Sequence, residues 1–344
     1  MILGEMQMEL PNISIVLPVR NEERYIEACV ESIFKQDYPA DKMEVIFVDG
    51  CSDDRTVELL KAMQAKYPQV RILSNPDRTV PYAMNIGIRN STAPVIVRLD
   101  VHAEYYPDYV RLSVETLLSK EGCENAGGVV ETRGRGFMGE AIAAMLETPL
   151  GVGNSQFRIS DTDAYVDTVP FGCFRRDLFD RIGYYDERMT RNQDNELNYR
   201  IRKNGGKIFL NHRIRSIYYC RDTIPGIMKM GHANGKWNVI TMALVPGSMS
   251  IRHFVPMAFV LSTIFLVLMV LLTRSMLWGG LLMLEWGAYL LLDVFYSYDI
   301  ARVKGIRFFP VEFILYPLFH FAYGTGSMVG LMMLPGMKGK QAKK

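Results

Sequence analysis

Short apolar runs alternate with amphipathic segments over the first 220 residues of this 344-residue chain. Apolar residues at helical spacing indicate two helices, and runs rich in β-branched residues indicate four buried strands. We expect strands at 13–17, 45–48, 70–73 and 95–99, and helices at 22–34 and 56–65. Strands that alternate with helices form βαβ units around a largely parallel sheet. The pattern therefore predicts an α/β fold with a Rossmann-like, mostly parallel sheet.

Each predicted strand runs into a polar segment at its carboxyl end. Arg20 and Glu22 follow the first strand, Asp49 follows the second, and Asp100 follows the fourth. Ligands of open α/β sheets bind in the crevice outside the carboxyl ends of the strands. The sequence therefore predicts a ligand site at this edge of the sheet.

The C-terminal part of the chain is much more apolar. Its first apolar run has 19 residues without a charge, close to the roughly 20 that cross a bilayer core. Glu285 and Asp293 interrupt the second run, which places them either in a bundle interior or aqueous cavity, or near the membrane interfaces. We expect a transmembrane region over 253–335 with segments at 254–272, 276–298 and 308–334.

The remaining boundaries follow from composition. Residues 1–222 form the predicted catalytic domain, 223–252 an amphipathic segment that lies at the membrane interface or packs on that domain, and 336–344 a basic tail. The N-terminus lacks the pattern of a signal peptide, so we expect the catalytic domain in the cytosol. Three crossings would put the basic tail outside, unless the third segment is broken or re-entrant.

Charge and short motifs exclude several functional classes. The 39 basic and 37 acidic residues nearly balance, so no nucleic-acid partner is expected. The five cysteines lack paired spacing, which argues against a zinc cage or a disulfide framework. Neither a GxGxxG fingerprint nor a GxxxxGK[ST] loop is present, which argues against a nicotinamide dehydrogenase and a P-loop ATPase.

Four motifs occur in order along the chain: SIVLPVRNEE, VDGCSDDRT, VRLDVHA and NQDNELNYR. Together they resemble the inverting family 2 glycosyltransferases of the GT-A fold, in particular the membrane-associated enzymes of succinoglycan-type exopolysaccharide synthesis. The resemblance covers roughly residues 11–240. It implies a GT-A catalytic domain that transfers a sugar from a nucleotide-sugar donor.

On the donor side, the resemblance implies that Asp49 binds the base or ribose and that Pro18, Arg20 and Glu22 shape the nucleotide pocket. Gly50 stands where the family commonly has a second Asp, which weakens any inference about the base. The alternative for Glu22 is that it, with its neighbour, only caps a helix.

Asp100 and His102 occupy the position of the family's DxD metal motif. The resemblance implies a divalent cation that binds the two phosphates of the donor. Because imidazole suits borderline metals better than Mg²⁺, we expect Mn²⁺ to serve at least as well as Mg²⁺. The alternative is that His102 only packs against its surroundings.

The motif NQDNE matches the family's ED motif, with Gln193 in place of Glu, and makes Asp194 the candidate general base. Glu196 is the weaker candidate, and either carboxylate is also an ordinary charge at a helix start. The preceding segment, with Phe171 and Gly172, resembles the family's acceptor side.

The expected protein is an integral cytoplasmic-membrane glycosyltransferase that adds one sugar to a polyprenyl-diphosphate-linked glycan in surface polysaccharide assembly. Processive synthases often carry QxxRW, which is replaced here by the stretch Ala233–Trp237. Two alternatives stay open. One is a polyprenyl-phosphate sugar synthase, and the other is a noncatalytic scaffold or transporter subunit on a degenerate transferase fold.

Overall fold

The structure is a computed structural model that describes residues 9–341, with side chains described as far as residue 335. The strands are β1 Ile13–Val19, β2 Met43–Asp49, β3 Val70–Ser74, β4 Val95–Arg98, β5 Ala103–Tyr105, β6 Cys123–Arg133, β7 Ala164–Tyr165, β8 Cys173–Arg175 and β9 Lys207–Tyr219. The first helices are α1 Ile26–Phe34, α2 Thr56–Lys66, α3 Val80–Arg89, α4 Tyr109–Ser119, α5 Gly136–Leu146, α6 Pro149–Val152 and α7 Gln156–Ile159. The remaining helices are α8 Asp177–Ile182, α9 Gln193–Lys203, α10 Ile224–Leu244, α11 Val255–Thr273, α12 Met276–Lys304 and α13 Phe309–Gln341. Short 3₁₀ helices occur at Ala40–Lys42, Ile251–Phe254 and Ile306–Phe308.

The chain forms two compact units. The sheet unit contains the chain up to Glu131 together with Ser160–Tyr218, and the helical unit contains Thr132–Ile159 together with the chain from Tyr219 onward. The segment 132–159 thus groups with the C-terminal helices, although it lies inside the domain that we expected at 1–222. Of the predicted basic tail, residues 342–344 and all side chains lie outside the described part of the structure.

The sheet unit carries a mixed sheet with the order β3-β2-β1-β4-β8-β6-β9-β5, and β7 pairs with β9. β1 pairs in parallel with β2 and with β4, and β2 pairs in parallel with β3. β8 is antiparallel to β4 and to β6, and β9 is antiparallel to β5 and to β7. The four predicted strands therefore form the parallel half, and antiparallel strands of 2 to 13 residues complete the other half.

β1, β2 and β4 are buried on both faces, because helices cover a parallel sheet on each side, whereas the edge strand β3 is only partly buried. Leu17 and Phe47 on one face and Val16 and Ile46 on the other are fully buried. Strand register brings Val19 opposite Asp49, so the ends of these two strands and the polar loops after them lie side by side.

α1 begins at Ile26, four residues later than the predicted start at residue 22. The reason is that the preceding loop bonds to the segment after β2. The amide of Glu22 donates to Thr56 Oγ1 at 2.8 Å, and Asn21 adopts a left-handed backbone with φ of 56°. Both features hold this segment out of the helix.

In the helical unit, α5 supplies an apolar face to α13. Ile142 and Met145 are buried in one cluster with Tyr316 and Phe319 of α13. This apolar face explains why segment 132–159 groups with the helical unit.

Two helical stretches among the described residues, Ile251–Thr273 and Met276–Lys304, are long and apolar enough to cross a membrane. Their outer faces expose large apolar side chains such as Leu268, Leu284 and Phe295. Between them, Glu285 of α12 accepts hydrogen bonds from Ser262 and Thr263 of α11. Asp293 is fully buried and accepts from Ser297 of the same helix, α12.

The third predicted segment, 308–334, lies in α13, which is one continuous helix and is not among those two stretches. α13 packs against α10 through glycines on both helices. A Cβ at Gly235 would lie 2.0 Å from the Tyr323 carbonyl oxygen, and one at Gly326 would lie 2.0 Å from the His232 carbonyl oxygen. Most of the predicted amphipathic segment, 223–252, is therefore α10, which packs on α13 within the helical unit.

Candidate active site

The loops after β1 and β2 are joined by reciprocal hydrogen bonds. The Asn21 amide donates to Ser52 Oγ at 2.9 Å, and the Asp53 amide donates to Asn21 Oδ1 at 3.0 Å. Asn tolerates the left-handed conformation of position 21 better than most residues do. The two loops therefore form one rigid rim above the carboxyl ends of the parallel strands.

Asp49 stands at the end of β2 and is 8% exposed. Its Oδ1 accepts from Ser52 Oγ at 2.5 Å, and the Ser52 amide donates to Oδ2 at 3.2 Å. Next to it, the Cα of Gly50 faces the Arg20 side chain, because a Cβ at this glycine would lie 3.4 Å from Arg20 Cβ and Cδ. An Asp at position 50, which the family commonly has, would thus lie against the Arg20 side chain.

The segment after β4 carries Asp100 and His102. The Asp100 amide donates to the Tyr105 hydroxyl at 2.7 Å, which fixes the turn that follows the strand. His102 Nδ1 lies 3.3 Å from Glu22 Oε1, so the loop after β1 meets the loop after β4. Asp100, Glu22 and His102 expose 20%, 21% and 50% of their side chains.

Arg98, the last residue of β4, joins Asp100 to Asp194. Its side chain is 5% exposed; Nη1 donates to Asp194 Oδ1, and Nη2 donates to Asp100 Oδ1 at 3.4 Å. Burial alone would lower the pKa of Arg98, but Asp194 and Asp100 raise it well above its usual value. The guanidinium is therefore a permanent cation between two carboxylates.

Asp194 lies in the first turn of α9, after Asn192 with its left-handed φ of 62°. Its side chain keeps 32% exposure, so an incoming group can reach it. Burial raises the pKa of the Asp194 carboxyl; Arg98 opposes this shift and Asp100 adds to it.

Glu196 has a different environment from Asp194. It is 2% exposed, and its two oxygens accept from Arg200 Nε and Nη2 at 2.6 and 2.8 Å. Arg200 also donates to the carbonyl oxygens of Ile182, Gly183 and Tyr184. Glu196 thus orients Arg200, which in turn binds the carbonyl oxygens at the end of α8 and just after it.

Phe171 and Gly172 lie beside β4. The Gly172 carbonyl accepts from the Arg98 amide at 3.0 Å, and the Tyr109 hydroxyl donates to the Phe171 carbonyl at 2.8 Å. A Cβ at Gly172 would lie 2.2 Å from Asn125 Oδ1, so only glycine fits there. Gln193 begins α9 immediately before Asp194.

The structure thus connects the predicted residues in two groups. Asp100 and Asp194 meet at Arg98, and Glu22 meets His102, while Asp49 and Arg20 lie at the neighbouring strand ends. Sequence reasoning missed Arg98. A charged residue that ends the otherwise apolar run VIVR was the signal, because a buried arginine needs a carboxylate partner.

The sequence profile of glycosyl transferase family 2 matches residues 14–183. The chain is also 31% identical over 224 residues, 63% of its length and 70% of the relative's, to the dolichyl N-acetyl-alpha-D-glucosaminyl phosphate 3-beta-D-2,3-diacetamido-2,3-dideoxy-beta-D-glucuronosyltransferase of Methanococcus voltae. The chain belongs to glycosyltransferase family 2. It is 28% identical to the succinoglycan biosynthesis protein ExoA of Rhizobium meliloti, over 71% of this chain and 74% of that protein.

Solved structures agree with this family 2 assignment at the level of the fold. The mannosyltransferase PcManGT from Pyrobaculum calidifontis, in complex with GDP-Man and Mn²⁺, matches with a TM-score of 0.62 at 20% identity, over 90% of this chain and 86% of that one. This likeness concerns the fold, and the predicted GT-A fold class is confirmed.

The donor set of this family 2 chain fits a divalent cation that also binds substrate phosphates. Within the described residues, no group of three or more His, Cys, Asp or Glu side chains is arranged to hold a metal ion. Asp100 and His102 offer one carboxylate and one imidazole on the loop after β4. A metal held by two protein ligands completes its coordination with phosphates and water, as is usual for Mg²⁺ at nucleotide sites.

Proposed function

We propose that this family 2 chain is a membrane-bound, inverting glycosyltransferase that moves a sugar from a nucleotide-sugar donor to a polyprenyl-diphosphate-linked glycan. The observation that carries the proposal is the bridge from Asp100 through Arg98 to Asp194. It joins the candidate phosphate-side carboxylate to the candidate base at the edge of the sheet where ligands of α/β folds bind.

On the donor side, Asp49 accepts hydrogen bonds from the nucleoside, and Arg20 and Glu22 form the wall beside it. Asp100 and His102 would hold Mn²⁺ or Mg²⁺, which when bound supplies Lewis-acid stabilisation of the departing diphosphate. The rim formed by Asn21 and Ser52 is already held by hydrogen bonds, so these loops lose little conformational entropy when they orient the donor.

On the acceptor side, Asp194 takes the proton of the attacking hydroxyl as its oxygen bonds to the anomeric carbon and the nucleoside diphosphate leaves. A single displacement of this kind inverts the anomeric configuration. Arg98 keeps the Asp194 carboxyl ionised and directed, while Phe171, Gly172 and Gln193 line the approach of the acceptor.

The lipid-linked acceptor and the membrane location have separate support. One relative is named for a dolichyl phosphate-linked sugar and another for succinoglycan synthesis. Two long apolar helices with exposed apolar side chains suit a membrane anchor, with the catalytic domain in the cytosol.

A polyprenyl-phosphate sugar synthase is the second candidate. The ion pair with Arg98 favours it, because a buried cation already engages one oxygen of the candidate base, and a phosphate acceptor requires no base. Product analysis with polyprenyl phosphate as the sole acceptor separates the two activities, since only the synthase forms a sugar phosphodiester.

The test is nucleotide release by the detergent-solubilised full chain, supplied with a polyprenyl-diphosphate-linked glycan as acceptor, from UDP-, GDP- and dTDP-sugars, with Mn²⁺, with Mg²⁺ or with EDTA. We expect release from one donor that requires a metal, with Mn²⁺ at least as effective as Mg²⁺. Asp194→Asn should lower turnover by about 10²- to 10⁴-fold, the usual contribution of a general base, and leave donor binding nearly unchanged.

Three results contradict the proposal. Equal release with EDTA and with metal refutes the cation site, and full turnover by Asp194→Asn refutes the base. A folded chain that binds no donor by calorimetry refutes the enzyme and favours the noncatalytic scaffold.

A further inference from the structure

The helical unit encloses a cavity of about 340 Å³ that the proposed chemistry does not use. Its walls come from α6, the 3₁₀ helix Ile251–Phe254, α11, α12 and α13. This volume is within the range of roughly 300–1,000 Å³ that is usual for small-molecule sites. The cavity is therefore large enough for part of a substrate.

The cavity wall is largely apolar, and its central polar groups bond to each other. His320 Nε2 donates to the Leu150 carbonyl at 3.0 Å, so its Nδ1 accepts from the Tyr289 hydroxyl at 2.9 Å. Phe259 stacks on Tyr289 with ring centroids 4.6 Å apart. These contacts join three helices and α6 into a preformed wall that favours a hydrocarbon ligand.

The lining also contains basic residues. Arg252 and His253 come from the 3₁₀ helix that precedes α11. Arg252 Nη1 donates to Asn154 Oδ1 at 2.7 Å, which ties the guanidinium to the segment after α6. A guanidinium is a permanent cation whose planar fork of donors suits a phosphate.

The lining is also open on the apolar outer surface. Val255 of α11 and Leu292 of α12 both line the cavity and are 60% and 52% exposed. They belong to the two helices that are long and apolar enough to cross a membrane. A hydrocarbon chain can therefore enter from a bilayer without passing through water.

We propose that this cavity binds the polyprenyl chain of the acceptor lipid, with its phosphate at Arg252 and His253. An apolar wall, a cationic side chain in the lining and an opening between lipid-facing helices match an amphiphile with an anionic head. The inference rests on the proposed function for the identity of that amphiphile, and it assigns the acceptor lipid to the helical unit.

The test is photolabelling of the full chain in detergent micelles with a diazirine-bearing polyprenyl phosphate. Leu292→Trp fills the opening and excludes part of the polyprenyl chain from the cavity. Loss of burial for only two methylene groups of that chain weakens binding about tenfold. Leu291→Trp is the matched control, because Leu291 is the adjacent residue of the same helix, is 74% exposed and is not in the lining. We expect labelling to fall about tenfold in Leu292→Trp and to stay within about twofold of wild type in Leu291→Trp.

A second pair of variants tests the head group. Arg252→Gln should weaken labelling, whereas Asn154→Ala, which removes a partner of Arg252 but keeps the charge, should not. Equal labelling of Leu292→Trp and Leu291→Trp overturns the site, and so does competition by phosphatidylglycerol that equals competition by unlabelled polyprenyl phosphate.

Nucleotide release with a water-soluble acceptor, measured on the same samples, separates this inference from the proposed function. Normal release together with unchanged labelling refutes the lipid site alone. Failure of the folded wild-type chain to bind any donor by calorimetry refutes the proposed function, while the labelling pattern still decides whether the cavity binds the lipid.

Discussion

The buried guanidinium of Arg98 donates to the carboxylate of Asp194, although the two residues are 96 positions apart in the chain. The same guanidinium contacts Asp100, which comes from the loop after the same strand. A change in charge at Asp100 therefore alters the electrostatic environment of the Asp194 carboxylate through the Arg98 side chain. This relationship gives the candidate base a defined position before any acceptor binds.

Removing this cation should impair turnover more than donor binding. We expect Arg98→Gln to lower kcat by about 10²-fold, the lower end of the range for general-base catalysis, because Asp194 loses its orientation. Arg98→Lys should recover only part of the activity, since an ammonium cannot bridge two carboxylates as a fork does. Steady-state kinetics with the donor panel measure kcat and KM separately. Arg202→Gln, an exposed change on α9, is the control, and an unchanged kcat in Arg98→Gln contradicts the role.

The pH dependence of turnover should carry the signature of Asp194. Burial raises the pKa of this carboxyl, so activity should fall on acidification at a pH above the roughly 3.9 of an ordinary Asp. Arg98 favours the charged carboxylate and lowers that pKa, so Arg98→Gln should move the acidic limb to higher pH. The profile of kcat/KM measures both shifts. If the role of Arg98 is only structural, Arg98→Gln should lower kcat/KM at every pH and leave the pH of its acidic limb unchanged.

Glu196 should be needed for stability instead of chemistry. Glu196→Gln leaves the Arg200 guanidinium largely buried without its carboxylate, and losing one partner of a buried ion pair costs about 3–5 kcal/mol. We expect a clearly lower Tm in thermal unfolding, together with retained nucleotide release at low temperature. The reverse outcome, a normal Tm with turnover abolished, would make Glu196 the base in place of Asp194.

The parallel half of the sheet could be predicted because its strands are continuous apolar runs followed by polar loops. The antiparallel half could not, since β7 and β8 have only two and three residues, and the longer β6 and β9 pair with these short strands and with β5. The same reason applies to α1, whose start depends on a hydrogen bond from Glu22 to Thr56, a partner 34 positions away.

At the site, single motifs indicated Asp49, Asp100 and Asp194, because each stands at the end of a strand or the start of a helix. Their connection through Arg98 depends on how β4 and α9 pack, which one-dimensional spacing does not encode. The grouping of 132–159 with the C-terminal helices was missed for a similar reason. The apolar face of α5 is visible in the sequence, but its partner on α13 is more than 150 positions away.

Asn21 should control donor affinity through the rim that it forms with Ser52. Ser52 Oγ accepts from the Asn21 amide and donates to Asp49, so the loop after β1 positions the nucleoside carboxylate indirectly. Asn21→Ala loses the bond to the Asp53 amide and puts a Cβ-bearing residue with no local hydrogen bond at φ of 56°. Asn21→Gly loses the same bond but accepts that φ without strain. We expect calorimetry to show donor affinity about tenfold lower in Asn21→Ala and less reduced in Asn21→Gly. Equal losses in the two variants would assign the whole effect to the side-chain bond, and no loss in either would mean that the rim does not position Asp49.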